Sequence, residues 1–136
     1  MPVDHPEPSA LQRQVEGYLD HLAVERGLAR NTLAAYNRDL DRYVAFLAGC
    51  GRTGVAEVQE SDVRGFVTSL RTARPDAPAL AASSTARVLA AVHGWHRFAA
   101  VEGWAPTDPS HGVKPPAQPR RLPKAISTQD VERLLV

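Results

Sequence analysis

The sequence contains a single cysteine, Cys50, set between Gly49 and Gly51. With no second thiol it forms no internal disulfide, and it has no companions for a metal site. A reducing cytoplasm is its expected home. No apolar run approaches the length of a membrane span. The opening MPVDHPEPSA has no basic stretch leading into an apolar one, which excludes a signal peptide and reads as a short disordered leader over residues 1–9. No segment alternates in the manner of a strand. There is no glycine-rich phosphate loop, no His–Glu metal motif and no internal repeat. Acid and base nearly cancel, leaving a formal charge of +1 that by itself names no partner.

What is present is helical periodicity. An apolar fraction of 43% over 136 residues is enough for one domain with a sizeable core. The strongest stretch is ARNTLAAYNRDLDRYVAFL, residues 29–47. As a helix it places Leu33, Tyr36, Leu40, Tyr43, Val44 and Leu47 on one face. Asn31, Arg38 and Arg42 project from the opposite face, with Thr32 at its border. Taken alone, that polar face is a solvated one.

Ser9 caps an earlier helix from about Ala10 to Arg26, with Leu11, Val15, Tyr18, Leu19 and Leu22 inward and Gly27 as its stop. After the central helix, residues 52–58 read as a turn, and a third helix spans roughly Glu60 to Thr72, with Val63, Phe66, Val67 and Leu70 inward. Residues 73–80 form a proline-marked loop. A fourth helix runs from about Ala82 to Glu102, with Val88, Val92, Trp95 and Ala99 as its core stripe. Its far side carries Ser83, Arg87, Ala90, Gly94 and Arg97, with His93 nearby. Gly94 either lets a bulky partner approach the backbone or permits tight helix packing. Tyr18, Tyr36 and Tyr43 take inward or border positions, as buried tyrosines with edge hydroxyls do. His93 and His96 stand at helical spacing for a metal, but no third ligand accompanies them, so no metal or other cofactor is expected.

Charge is polarised along the chain. Residues 1–28 carry a net −3, whereas residues 79–125 carry a net +4. A one-sided basic surface points to an anionic partner. The stretch VKPPAQPRRLPKA, residues 113–125, contains four prolines and four cations with no acid, and reads as a stiff extended linker. Ser127 then opens a new amphipathic helix in which Val131, Leu134 and Leu135 have nothing after them to pack on, as in the first helix of a further domain.

Three blocks carry a family resemblance: LDHLAVERGLARNTLAAYNRDLDRYVAFL, SSTARVLAAVHGWHRFAAVEGW and DPSHGVKPPAQPRRLPKAISTQDVERLL. In order and spacing they resemble the N-terminal core-binding domain of the XerC/XerD tyrosine recombinases, nearer to XerD, over about residues 11–136. The resemblance implies an all-α, four-helix SAM-like orthogonal bundle over residues 10–112, a basic linker over 113–126 and a truncated catalytic-domain helix over 127–136. It implies a domain that forms half of a clamp on duplex DNA at a recombination half-site. Asn31, Thr32, Arg38, Arg42, Ser83, Ser84, Arg87, His93, Arg97, Arg120, Arg121 and Lys124 are the expected DNA contacts. His93 departs from the pattern, because the family commonly has a permanently basic residue there.

The resemblance also implies that catalysis, through a 3′-phosphotyrosyl DNA intermediate, belongs to the parent protein and not to this chain, so no residue here is assigned a catalytic role. The implied partners are duplex DNA, XerC-like recombinase subunits and a septal DNA translocase, with chromosome dimer resolution as the parent's task and no membrane involved. A phage or transposon integrase domain is the nearest alternative. A helical protein-interaction module is the alternative from another class, against which the acid-free linker weighs.

Overall fold

The structure, a computed structural model, describes residues 8–117. The leader up to residue 7, the linker cations Arg120, Arg121 and Lys124, and the expected helix after Ser127 lie outside the described residues. Among those described are four helices: α1 (Ala10–Val24), α2 (Arg30–Gly49), α3 (Glu60–Leu70) and α4 (Ala82–Val101). A single 3₁₀ turn, Val55–Glu57, lies between α2 and α3. The only β pairing in this region is an isolated bridge between Arg74 and Ala77.

Local chemistry sets the helix limits. At the start of α1, Ser9 Oγ accepts from the Gln12 N–H at 3.1 Å while Gln12 Oε1 accepts from the Ser9 N–H at 2.8 Å. This reciprocal cap satisfies two donors that a helix start otherwise leaves unpaired. At its other end Gly27 turns the chain with a φ of 62°, a conformation that favours glycine. In α3 the Asp62 carboxylate accepts from the Gln59 N–H at 2.9 Å and is forked by Arg52 at 2.8 and 3.2 Å. Burial alone would push the Asp62 carboxyl up. The Arg52 fork and the Gln59 N–H outweigh burial and hold it below its ordinary value.

The core forms where the apolar stripes of the helices meet. Leu40, Tyr43 and Leu47 of α2, Val63 and Phe66 of α3, and Val88, Leu89, Val92 and Trp95 of α4 are all buried. The Tyr43 ring lies 4.8 Å from Phe66 and stands edge-on to Trp95 at 5.8 Å. Such pairs contribute about 0.5–1.5 kcal/mol each beyond their buried area. Leu11, Val15, Tyr18 and Leu22 close the core from α1. Leu33, Tyr36 and Val67, all expected inward, are only partly buried at its margin.

Helix α1 ends at Val24 rather than Arg26, and two further features differ from the sequence reading. Helix α3 stops at Leu70 rather than Thr72, because Leu80 N–H donates to Leu70 O at 2.8 Å and folds the loop back on the helix end. The stretch 52–58 is more than a connecting turn. Its Val55 and Val58 enter the core, and Val55 N–H donates to Gln14 Oε1 of α1 at 2.9 Å. No helix among the described residues is long and apolar enough to cross a membrane.

Candidate nucleic-acid interface

The polar faces expected on the second and fourth helices are both exposed. Asn31, Thr32, Arg38 and Arg42 are exposed on α2, and Ser83, Arg87 and Arg97 are exposed on α4, while Ser84 is half-buried. An ion pair joins the two helices on this side. Arg87 Nη1 donates to Asp39 Oδ2 at 2.6 Å, with the Asp39 side chain 9% and the Arg87 side chain 57% accessible. A carboxylate buried to that extent orients the guanidinium it holds. The guanidinium has further donors beyond the one it gives to Asp39, and more than half of its side chain remains accessible. Exposed donors fixed on two adjoined helices can pair with phosphate oxygens or base edges.

His93 sits in a different setting. It is half-buried on α4, and its Nδ1 lies 3.1 Å from Ser110 Oγ. Ser110 is fully buried and donates to Asp108 Oδ1 twice, from its hydroxyl at 2.6 Å and from its N–H at 2.8 Å. The stretch Thr107–Ser110 is an Asx-type turn, closed by Ser110 N–H donating to Asp108 Oδ1, that presents Ser110 to the bundle.

Not all expected contacts group together. Arg42 lies one turn beyond Arg38 and lines a cleft of about 360 Å³ with Phe46, Phe66, Leu70 and the 72–80 loop. It therefore borders α3 rather than α4. Gly94 serves packing. A side chain at this position would collide with the Tyr18 hydroxyl of α1, so its smallness lets α1 and α4 approach and is not an opening for a partner.

His96 and His93 do not converge on a common ligand. His96 is 1% exposed and its Nε2 lies 2.7 Å from Tyr43 Oη inside the core. Burial depresses the imidazole to about 4 and pushes the Tyr43 phenol above its ordinary range. Both therefore stay neutral at physiological pH. The described residues contain no group of three side chains able to hold a metal ion.

Three participants escaped the sequence reading: Asp39, Asp108 and Ser110. Asp39 is flanked by the exposed Arg38 and the buried Leu40, and periodicity marks only apolar positions. The Asp-Pro-Ser spacing was the one available signal for the Asx turn.

Residues 15–103 match the phage integrase N-terminal SAM-like domain. The chain is 50% identical over 127 residues to the tyrosine recombinase XerD of Mycobacterium tuberculosis, covering 92% of this chain and 41% of that protein. It is 40% identical to the XerD of Corynebacterium glutamicum over 87% of this chain and 39% of that one. It is 38% identical to the XerC of Roseiflexus sp. over 90% of this chain and 37% of that one. The chain thus spans about two-fifths of the length of these curated relatives. No solved structure matches it significantly.

Proposed function

The chain belongs to the phage integrase N-terminal SAM-like domain family, and on that premise we propose that it is the DNA-gripping domain of a XerD-like tyrosine recombinase. In this reading it holds duplex DNA at a recombination half-site, and the parent protein resolves chromosome dimers together with XerC-like subunits and a septal DNA translocase. The chain supplies grip and register. Strand cleavage through a 3′-phosphotyrosyl intermediate belongs to parts of the parent that it does not contain.

The observation that carries the reading is the Asp39–Arg87 pair, which ties the exposed faces of α2 and α4 together. Asn31, Thr32 and Arg38 on one helix and Ser83, Arg87 and Arg97 on the other then act on a single duplex. Ser84 and His93 border that surface, and Arg42 adds charge at its far end. Arg120, Arg121 and Lys124 extend the grip along the backbone as phosphate contacts. These position a protein without carrying sequence information.

The test is a fluorescence-anisotropy titration of the chain on a labelled half-site duplex and on a scrambled duplex, at several salt concentrations. Binding that weakens linearly in log salt and favours the half-site is expected. Salt-independent binding, or none, would reject the reading in favour of a protein-interaction module.

A further inference from the structure

We propose, resting on the DNA-binding reading above, that His93 is a proton-dependent phosphate ligand, so that the chain takes up a proton at this residue when it closes on duplex DNA. The argument begins with proton accounting. The Ser110 hydroxyl has one hydrogen and gives it to Asp108 Oδ1 at 2.6 Å. Its oxygen can then only accept from His93 Nδ1, 3.1 Å away. The reverse assignment would leave a hydroxyl oxygen and a carboxylate oxygen facing each other at 2.6 Å with no proton between them. Nδ1 therefore carries hydrogen in every protonation state of the ring.

This fixes the character of the other nitrogen. In the neutral imidazole Nε2 is a bare lone pair, which repels a phosphate oxygen. In the cation Nε2–H becomes a charged donor. His93 is half-buried with Nδ1 committed to the fully buried Ser110, which leaves Nε2 as the ring nitrogen for an incoming partner. Arg97 stands one turn further along α4 and is exposed. Ionisable groups near the ring include Asp108, reached through Ser110, and His96 of α4, with Tyr43 of α2 behind His96. An arginine or lysine at this position would be charged throughout the physiological range. The histidine makes the same contact conditional on a proton, and linkage requires that DNA favour the protonated form by the factor that protonation adds to affinity.

The experiment measures affinity of the full 136-residue chain for the half-site duplex at fixed ionic strength between pH 5.5 and 8, with His93→Gln and His93→Arg in parallel. Wild-type affinity is expected to fall roughly tenfold more than that of His93→Gln across this range, as loss of a charge-assisted hydrogen bond would give. His93→Arg is expected to bind at pH 8 as tightly as wild type at acid pH. Parallel pH profiles for wild type and His93→Gln, with both binding, would overturn the proposal and leave the DNA reading standing. No binding by any of the three would overturn both. Circular dichroism at each pH monitors the fold. Nitrogen-15 correlation spectra of the free wild type add a readout that needs neither DNA nor a variant. They are expected to show the Nδ1–H tautomer for His93 near pH 8, and the Nε2–H tautomer would overturn the proposal.

Discussion

Asp39 of α2 and Arg87 of α4 are 48 residues apart in sequence and 2.6 Å apart in space, with the carboxylate buried and the guanidinium largely exposed. The asymmetry sets what each substitution costs. Removing the exposed partner strands a buried charge, and a stranded polar group costs more than the bond it lost. Arg87→Ala is expected to lower stability by about 1–3 kcal/mol, seen as a fall in thermal midpoint of roughly 4–8 °C per kcal/mol. Adding Asp39→Asn should recover part of that loss. Binding to the half-site, measured well below both midpoints, should still be weaker in Arg87→Ala than in wild type.

The buried His96–Tyr43 contact predicts an acid limit to stability. His96 stays neutral in the folded chain down to about 4, whereas an unfolded histidine titrates near 6.5. Below the higher value the unfolded chain binds a proton that the native state refuses. Stability is therefore complete above the unfolded value and declines as pH falls from there toward the folded one. The loss attributable to this residue is about 3 kcal/mol across that interval. Denaturant titrations from pH 7.5 to 4 should show it, and His96→Phe should flatten that portion of the profile.

Two glycines within helices should respond to alanine with opposite signs. At Gly94 a Cβ would collide with the Tyr18 hydroxyl, whose ring is itself packed 5.3 Å from Phe98. Gly94→Ala is expected to destabilise by about 1–3 kcal/mol through overpacking. At Gly65 the nearest atom to an added Cβ is the Phe46 ring edge at 3.4 Å, an ordinary contact. Gly65→Ala should instead gain helix propensity and stabilise by up to about 1 kcal/mol. Thermal melts of the two variants side by side decide it.

For the linker, replacing Arg120, Arg121 and Lys124 together by Ala should weaken half-site and scrambled duplexes by similar factors. The slope of log K against log salt should become shallower by roughly 2 to 3, since each phosphate contact contributes about 0.9. An unchanged slope would remove these residues from the interface.

The four helices were legible because their signals are local. The Ser9 cap, the stop at Gly27 and the apolar spacing of Leu40, Tyr43, Val44 and Leu47 all act within a turn or two of chain. What escaped depends on distant partners. Asp39 gains its role from Arg87, Ser110 from His93, and Val55 from a core to which its backbone is tied by Gln14 of α1. Gly94 stood open between two readings because nothing in its own neighbourhood reveals that Tyr18 lies opposite. Of the candidate interface, the exposed positions could be read from periodicity. The ion pair and hydrogen bonds that orient them could not.

The Asp108–Ser110–His93 clasp has a mechanical consequence. Ser110 is fixed to α4, and three residues later Val113 is buried in the core, its N–H donating to Ser110 O at 3.0 Å. Between Ser110 and Val113 the chain is thus held twice, once to α4 and once in the core. Tension applied at Lys114 would reach α4 without first drawing out slack. A pull along the chain from that side would be felt on the helix that carries Arg87, His93 and Arg97, and Ser110→Ala would loosen that transmission while leaving the four helices in place.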